Sequence, residues 1–374
     1  MITELLSQLV AIDSVNPSLV DGGAGEREVA DFVAEWGRAA GLEVDVVGSP
    51  ARPSVVLRAR GRGDGRSLLL CGHLDTVGVT GMTDPHTPRI DGDWLYGRGS
   101  YDMKAGLAAA LVAVREAAQL ELAGDVVVAA VADEEDASIG MEEVLRSVHA
   151  DAAIVTEPTE LDVVVAHKGF MWSEVEVRGR AAHGSRPALG IDAIVKTGPL
   201  LIALAELDEA LSVQTHHPLL GRGSVHASLI AGGHELSSYP DRCVLTIERR
   251  TLPGERAADV ERELGELLDR CAAGDADFAA TQRTLLVRDP LEVDAGHEIV
   301  RTVAAAAAEV SGTEHAIAGA SFWADSGLIA AAGIPTVLFG PKGDGAHAIE
   351  ERVSIASTEV VARTLVEAAR SFCR

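Results

Sequence analysis

The distribution of apolar residues divides the chain into two styles of secondary structure. Up to Glu157, short continuous apolar runs alternate with longer segments of helical spacing. The apolar runs cover residues 67–72, 125–131 and 152–156, and the helical segments cover 25–40, 103–119 and 139–148. A short apolar run bounded by turn residues is typical of a buried strand. Strands that alternate with helices predict βαβ units around a mixed, largely parallel sheet, and therefore an α/β fold.

The pattern changes after Gly169, where apolar and polar residues begin to alternate. Residues 172–179, WSEVEVRG, have the period of a strand with one exposed face. The segments that follow are a helix over 190–208, strands over 225–231 and 243–249, a helix over 255–270 and a strand over 278–287. This β-α-β-β-α-β order predicts a ferredoxin-like α+β unit.

The first style returns after this unit and continues to the end of the chain. Helical spacing covers residues 296–310, 323–332 and 355–372, and the run PTVLF at 335–339 predicts another buried strand. The ferredoxin-like unit is therefore an insertion. We expect residues 1–170 and 288–374 to form one domain, and residues 171–287 to form a second domain inserted into it.

Length, charge and cysteine content limit the classes of function. The chain has 374 residues, enough for two domains, and a formal net charge of −25. Such a charge argues against nucleic acid or an anionic membrane as a partner. The four cysteines form no CxxC pair, which suits a reducing compartment. No apolar run reaches the ~18 residues of a transmembrane helix. Because MITELLSQLVAI also lacks the basic region of a signal peptide, we expect a cytoplasmic protein.

Side chains that could bind a metal stand near the ends of the predicted strands and in the loops between them. They are His73 with Asp75, Asp102, Glu134, Glu135, Glu157 and His347. Several of them have an ordinary alternative. His73 could be a core histidine beside a turn aspartate, Asp102 could cap the next helix, and the acids at 133–136 could form a solvated turn. Together they favour a site, because open α/β sheets bind ligands at the carboxyl ends of their strands.

The types of ligand indicate zinc. Two histidines and three carboxylates form the nitrogen and oxygen set that Zn²⁺ accepts. Five ligands exceed the three that one catalytic zinc takes from a protein, but they suit two ions that share a carboxylate. A hydrolytic centre also needs a carboxylate outside the ligand set to take a proton from water. Glu134, beside Glu135, is free for that role.

The chain carries five motifs of a known enzyme family. In order they are GHLDTV, GRGSYDMKAG, ADEED, TEP and GAHAIEE. They resemble the co-catalytic zinc family of acetylornithine deacetylase, succinyl-diaminopimelate desuccinylase and carboxypeptidase G. The resemblance covers essentially the whole chain. It implies a zinc-peptidase-type catalytic domain with an inserted lid and dimerisation domain. It also implies two zinc ions per chain, for which cobalt could substitute.

The resemblance further implies a role for each candidate. The zinc ligands would be His73 and Glu157 on one ion, Glu135 and His347 on the other, and Asp102 as the bridge between them. Asp75 would orient His73. Glu134 would act as general base and then as general acid in the hydrolysis of an amide bond.

Two residues of the inserted domain match the family as well. His183, in GRAAHGSRP, resembles the histidine that reaches into the partner's active site in a homodimer and donates a hydrogen bond to the oxyanion. Arg250, in ERRTLPGE, stands where the family has an arginine for the substrate carboxylate. A guanidinium binds that group in a bidentate manner. The ordinary alternatives are a loop cap for His183 and a solvated strand position for Arg250.

One motif departs from the family pattern. Many relatives have an asparagine before a V-x-P sequence in the lid, whereas this chain has ELSSYP at 235–240. Ser237 or Ser238 could donate the same hydrogen bond, and the sequence does not decide between them. ELSSYP and ERRTLPGE look more like the acetylornithine-deacetylase and general deacylase branch.

We therefore expect a zinc-dependent amidohydrolase of amino-acid metabolism that cleaves the amide bond of N-acyl amino acids. A carboxypeptidase or dipeptidase with the same site is the alternative, because only the pocket separates the two. We expect residues 321–328, SFWADSGL, to line that pocket. An inactive metal-binding scaffold is a third reading, against which the intact Glu134 argues. We also expect a homodimer that covers the exposed sheet edge of the inserted domain.

Overall fold

The structure, a computed structural model, describes residues 2–214 and 216–374. The chain forms two compact units. The first unit comprises Met1–Val165, Glu292–Gly319 and Ala324–Arg374, and the second comprises Ala166–Leu291 with Ala320–Trp323. None of the helices within the described residues is long and apolar enough to cross a membrane.

The helices and strands follow in chain order. The helices are α1 (Ile2–Ala11), α2 (Arg27–Ala39), α3 (Ala105–Ala117), α4 (Ile139–Val144), α5 (Ala193–Ser212), α6 (Ala257–Gly274), α7 (Glu298–Ser311), α8 (Ser326–Ala331) and α9 (Ile355–Phe372). The strands are β1 (Glu43–Ser49), β2 (Arg52–Ala59), β3 (Leu68–His73), β4 (Arg89–Asp91), β5 (Trp94–Tyr96), β6 (Val126–Val131), β7 (Ala152–Val155), β8 (Val163–His167), β9 (Gly169–Arg178), β10 (Ser224–Gly232), β11 (Arg242–Thr251), β12 (Ala279–Arg288), β13 (Leu291–Glu292), β14 (Ile317–Ala320), β15 (Thr336–Leu338), β16 (Gly343–Asp344) and β17 (Arg352–Ser354).

The main sheet of the first unit is mixed, with parallel strands at its centre. Its order is β1-β2-β6-β3-β7-β15-β8-β13, and β14 pairs with β8. The strands β6, β3, β7 and β15 run parallel, whereas β1, β2 and β8 pair antiparallel with their neighbours. Every residue of β3, β6 and β7 is buried. Because both faces of these strands are covered, they are continuous apolar runs, and the predicted α/β class is confirmed.

Small residues bring the helices close to this sheet. Gly106, in the first turn of α3, lies against the backbone of Thr156, and a Cβ there would be 1.9 Å from the Thr156 carbonyl oxygen. The other buried residues of α3 are mainly alanine and leucine, and they pack against α9. The start of α3 is therefore close to the carboxyl end of β7.

A small antiparallel sheet in the first unit joins two loops. Its order is β16-β17-β5-β4, and Arg352 of β17 pairs with Tyr96 of β5. Because the two strands are antiparallel, the residues after Tyr96 run beside the residues before Arg352. Residues 97–102 and 345–351 are therefore neighbours, although they lie far apart in the sequence.

The second unit has the predicted ferredoxin-like arrangement. Its antiparallel sheet has the order β10-β11-β9-β12. Helices α5 and α6 cover one face, and their core includes Leu200, Leu264, Val175 and Leu245. The edge strand β10 is exposed from His226 onward, which places apolar side chains in solvent.

Most predicted helices differ from the structure by a few residues at one or both ends, and two of these differences can be explained by hydrogen bonds. The helix expected over 139–148 ends at Val144. The N–H of Ser147 donates to the Val144 carbonyl at 3.1 Å, which forms a turn in place of a further helical turn. The helix expected from residue 323 begins at Ser326. Trp323 instead belongs to the second unit, where its indole N–H donates to the Asp289 carbonyl at 3.0 Å.

Candidate metal centre

Three parallel strands of the first unit end beside one another and carry polar residues at those ends. His73 is the last residue of β3 and pairs with Val131 of β6, and β7 pairs with β3 on its other side up to Cys71. Glu134 and Glu135 follow the end of β6, and Glu157 follows the end of β7. The side chains converge because the carboxyl ends of parallel neighbours lie at one edge of the sheet.

Asp102 lies between the two histidines. Its Oδ1 is 3.2 Å from His73 Nε2, and its Oδ2 is 3.3 Å from His347 Nε2. The alternative that Asp102 caps α3 is wrong, because Lys104 occupies the cap position and no side chain makes a capping hydrogen bond there. Asp102 has φ −114° and ψ 94°, outside the helical region. The carboxylate therefore points toward the histidines.

The remaining acids complete the cluster. Glu135 Oε2 is 3.1 Å from His347 Nε2. Glu157 Oε1 and Glu134 Oε2 are 3.8 and 3.9 Å from His73 Nε2. Two sets have ligand atoms within 4.8 Å of one another: His73, Asp102 and Glu135, and His73, Glu134 and Glu157. Glu134 thus lies as close to this centre as the expected ligand Glu157 does.

Asp75 binds the neighbouring loop, and its backbone orients His73. The strand ends at His73, so Asp75 lies in the loop that follows it. The backbone carbonyl of Asp75 is 2.9 Å from His73 Nδ1, whereas its carboxylate is 3.7 Å away. That carboxylate instead accepts the N–H groups of Glu134 and Glu135 at 3.1 and 3.2 Å. It therefore fixes the loop that carries both glutamates.

A buried network behind this loop was missed by the sequence analysis. Asn16 donates to Asp75 at 2.8 Å and to Asp133 at 3.1 Å. Arg52 bonds Asp133 at 2.6 Å and binds both carboxylate oxygens of Glu26 at 2.6 and 2.7 Å. Asp133 has φ 69°, a strained conformation of the kind found at functional sites. No local pattern indicated these partners, because they are distant in the sequence.

The acids of the cluster raise the pKa of both histidines. Burial alone would lower the pKa of His73, but Asp102 and the neighbouring glutamates raise it well above its usual range. Hydrogen bonds to Asp102 and Glu135 raise the pKa of His347 to about 10. Burial would raise the pKa of Asp102, but hydrogen bonds from the histidines hold it below its usual range. A metal needs neutral imidazole and ionised carboxylate as ligands. Metal binding would therefore compete with protons for the two histidines.

The acids of the cluster fit divalent metal ions. Burial raises the pKa of Glu134 and of Glu157 well above the usual range, and the charges of neighbouring acids add to the effect. Like charges in one buried site disfavour ionisation, and a cation removes that penalty. The buried Oε1 of Glu135 has no hydrogen-bond partner within the part of the chain described. Imidazole and carboxylate donors with one open oxygen suit a pair of such ions.

His183, in the second unit, has a defined tautomer. Its Nδ1 accepts the backbone N–H of Ser185 at 3.2 Å and lies 2.8 Å from the Ser185 hydroxyl. A backbone N–H can only donate, so Nδ1 of the neutral ring is the acceptor and Nε2 carries the hydrogen. The side chain is exposed, and its Nε2–H is a donor suited to an oxyanion.

The loop with the altered motif pairs with the His183 segment. The N–H of Gly184 donates to the Ser237 carbonyl at 2.7 Å, and His183 forms an isolated antiparallel bridge with Ser238. The Ser238 hydroxyl donates to Glu235. Ser238 is thereby engaged within its own loop.

Arg250 lies on the face of the second sheet that the helices do not cover. Its Nε donates to Glu248 at 2.7 Å, and its guanidinium lies 5.2 Å from the centre of the Phe170 ring. Trp172 also donates to Glu248, at 2.9 Å. Despite burial, these hydrogen bonds hold the pKa of Glu248 below its usual range. Among the described residues, none accepts a hydrogen bond from the terminal nitrogens of Arg250.

Comparison with known proteins places this arrangement among metal-dependent hydrolases. A model of peptidase family M20/M25/M40 matches residues 69–371. An acetylornithine deacetylase from Myxococcus xanthus is 31% identical over 386 aligned positions, which cover 98% of this chain and 96% of the relative. An M20 family metallo-carboxypeptidase from Sulfolobus solfataricus has a TM-score of 0.81 at 19% identity, with 99% of each chain covered. A dinuclear metal-binding M20 peptidase from Bacillus subtilis has a TM-score of 0.75 at 17% identity, with 100% of this chain and 97% of that chain covered.

Proposed function

The chain belongs to peptidase family M20/M25/M40 and is a metal-dependent hydrolase, and from this premise we propose that it is a di-zinc deacylase of N-acyl amino acids. The relative from Myxococcus xanthus supports the deacylase assignment, because the similarity covers nearly the whole of both chains. The carboxypeptidase is similar at 19% identity, which supports the fold alone. A carboxypeptidase or dipeptidase activity is the second candidate, since the same site would serve it.

The observation that carries the proposal is the position of Asp102. Each of its two oxygens faces the Nε2 atom of a different histidine, at 3.2 and 3.3 Å. This is the arrangement expected of a carboxylate that bridges two ions. We assign His73 and Glu157 to one zinc, and Glu135 and His347 to the other. The ions would supply Lewis acidity that lowers the pKa of water from 15.7 to ~7 and polarises the amide carbonyl.

Glu134 carries the proton in the proposed mechanism. Its pKa is raised by burial and by the charge of Glu157, and a cation at the site would return it to a carboxylate. As the base, it takes a proton from water while the oxygen attacks the amide carbon. It then gives that proton to the nitrogen of the leaving amine, so the same residue serves both halves of the reaction.

His183 and Arg250 contribute binding energy. The Nε2–H of His183 is a donor for the oxyanion of the tetrahedral intermediate. The terminal nitrogens of Arg250 bind the carboxylate of the amino acid, while Glu248 and Phe170 hold its guanidinium in place. Holding the carboxylate fixes the position of the reacting carbon. Because the Ser238 hydroxyl is engaged with Glu235, we propose that Ser237 supplies the remaining hydrogen bond of the altered motif.

The experiment that tests the proposed function is a panel of substrates assayed with and without added zinc. It contains N-acetylornithine, N-succinyl-diaminopimelate, other N-acyl amino acids and simple dipeptides. We expect zinc-dependent hydrolysis of N-acyl amino acids to exceed that of dipeptides. Faster hydrolysis of dipeptides would favour the peptidase candidate, and no hydrolysis of any member by the zinc-loaded protein would contradict both.

We also propose a homodimer formed through the second unit. Leu229 and Ile230 of the edge strand β10 are 71% and 54% exposed, and Ile202 on the neighbouring α5 is 64% exposed. A second copy could continue the sheet by two-fold pairing of β10 and cover these side chains. Leu229→Lys should yield a monomer in analytical ultracentrifugation, and a monomeric parent protein would contradict the proposal. The unpaired, buried cysteines suit a cytoplasmic location, which we propose as well.

A further inference from the structure

Glu351 is a buried acid that lies outside the set of ligand-type residues. It is 1% exposed. Within the described residues its Oε1 accepts the backbone N–H groups of Tyr101 and Asp102, both at 2.9 Å. Its Oε2 accepts the backbone N–H of Gly99 at 2.9 Å and Arg98 Nη1 at 2.7 Å. Both carboxylate oxygens therefore act only as acceptors, and each receives two donors.

The donors all belong to the segment that carries Asp102. This segment has Gly99 at φ 75° and non-helical angles at Asp102, so its N–H groups cannot form a regular helical ladder. A buried N–H needs an acceptor, and the carboxylate of Glu351 provides one for three of them. The hydrogen bonds therefore determine the path of the backbone immediately before the Asp102 side chain.

Glu351 also belongs to the loop that carries His347. The pairing of β5 with β17 brings this loop beside residues 97–102, and the N–H of Gly97 donates to the Glu351 carbonyl at 3.2 Å. Arg98 extends the link, because its Nη2 donates to the carbonyl of Ala348 at 2.9 Å while its Nη1 binds Glu351. The His347 loop and the Asp102 segment are thus bound to each other by buried, charge-assisted hydrogen bonds.

We propose that Glu351 is a positioning residue for the metal centre: it fixes the carboxylate of Asp102 relative to His347, so that both ions can share it. The inference rests on the proposed di-metal function. Asp102 Oδ2 lies 3.3 Å from His347 Nε2, and the backbone N–H of Asp102 donates directly to Glu351. Partners behind metal ligands of this kind typically change metal affinity or activity by 10–100-fold when altered.

The sharpest test is Glu351→Gln, which preserves the volume of the side chain. An amide has one acceptor oxygen and one donor nitrogen, so in either orientation its NH₂ group would face two N–H donors. We expect the affinity of at least one of the two Zn²⁺ or Co²⁺ ions to fall by about 10–100-fold. Isothermal titration of metal-free protein with each ion measures the affinity, and the visible absorption of bound Co²⁺ reports the ligand geometry.

The matched control is Glu350→Gln, which removes the same charge from the neighbouring, exposed residue. It should bind both ions with the affinity of the parent and give the same Co²⁺ spectrum. A carboxylate that only stabilised the fold would lower the unfolding temperature of Glu351→Gln, but it would leave the metal affinity of the folded protein unchanged. Parent-like affinity and spectrum in folded Glu351→Gln would therefore overturn the inference.

A second variant covers the case in which Glu351→Gln does not fold. Arg98→Lys keeps a positive charge beside Glu351. It removes the guanidinium, whose second terminal nitrogen donates to the Ala348 carbonyl. We expect a loss of metal affinity of the same sign and smaller size, and unchanged affinity would overturn the inference. The readout is independent of substrate: a parent that binds two ions but hydrolyses no N-acyl amino acid would contradict the deacylase proposal alone.

Discussion

The acids of the candidate metal centre and His183 of the second unit are held in different ways, although His347 of the first unit is exposed as well. In the first unit the ligand-type acids are buried or half-buried, and charged groups bind the loops that carry them from behind, as Asp75 does for Glu134 and Glu135. In the second unit His183 is exposed, and its contacts come from its own loop and the adjacent segment that contains Ser238. The candidate metal ligands therefore all lie in the first unit, whereas the contacts of His183 come from the second unit alone.

The two sheets also differ in burial. Strands β3, β6 and β7 are buried on both faces, so a carboxylate at their ends is removed from water and its protonation is strongly perturbed. The second sheet has helices on one face and an exposed edge at β10. Burial therefore raises the pKa of Glu134 and Glu157, whereas His183 in the second unit is exposed to solvent.

The largest effect is expected in the first unit, at Glu134. Glu134→Ala should keep both metals and lower kcat by about 10⁴-fold, since general-base catalysis contributes ~10²–10⁴ to one step and this residue serves twice. Glu135→Ala should instead lower the affinity for one metal. Metal content and kcat measured on both variants separate the two roles. Loss of metal from Glu134→Ala, with none from Glu135→Ala, would reverse the assignment.

The next effect is expected in the second unit, at His183. His183→Ala should lower kcat by about 10²–10³-fold, the usual loss for one oxyanion donor, without change in metal content. If the histidine acts in the partner's site, mixing His183→Ala with Glu134→Ala should restore activity through the one site that is intact in the heterodimer. Mass spectrometry verifies the exchange of subunits. Verified heterodimers that remain inactive would show that His183 does not act across the dimer.

A smaller effect is expected for Arg250. Arg250→Lys removes the bidentate contact, so KM for an N-acetyl amino acid should rise by about 10-fold with little change in kcat, as expected when a charge-assisted hydrogen bond worth ~1.5–3 kcal/mol is weakened. For a substrate whose carboxylate is replaced by a carboxamide, KM should be about the same in Arg250→Lys as in the parent. An equal loss on both substrates would mean that Arg250 does not bind the carboxylate.

The smallest effect concerns a buried group of the second unit, His167. Burial lowers its pKa to about 4, although the bond to the Lys168 carbonyl opposes the shift. The unfolded chain binds this proton below pH ~6.5 and the folded chain does not, so stability falls as the pH drops from ~6.5 toward 4. The free energy of unfolding should decrease by about 2 kcal/mol more between pH 7 and pH 5 in the parent than in His167→Gln. Urea titrations at both pH values measure it, and equal decreases would contradict the prediction.

The sequence predicted what local patterns encode. The apolar runs gave the strands, and the position of His73 and Glu157 at strand ends indicated a shared edge, because the geometry of parallel strands is regular. The alternation over WSEVEVRG separated the second unit from the first for a similar reason. These features depend on neighbours within one element, which the sequence displays directly.

The contacts behind the site were not predictable in this way. Arg52 meets Glu26 and Asp133 through folding of distant segments, and nothing in the local sequence links them. Glu351 lies within the motif GAHAIEE, but only the pairing of β5 with β17 shows that it binds the Asp102 segment. Asp75 was expected to orient His73. The contact is made by its backbone carbonyl, because the strand ends before Asp75.

We propose that the first unit binds two metal ions that share Asp102. The most direct measurement is the metal content of the protein during stepwise addition of Zn²⁺ to metal-free enzyme, followed together with the hydrolysis of an N-acetyl amino acid. We predict two tightly bound ions per chain at full activity. For Asp102→Ala we predict a folded, inactive protein that binds fewer ions. Full activity in the parent with no bound transition metal, or with a single ion per chain, would contradict the account.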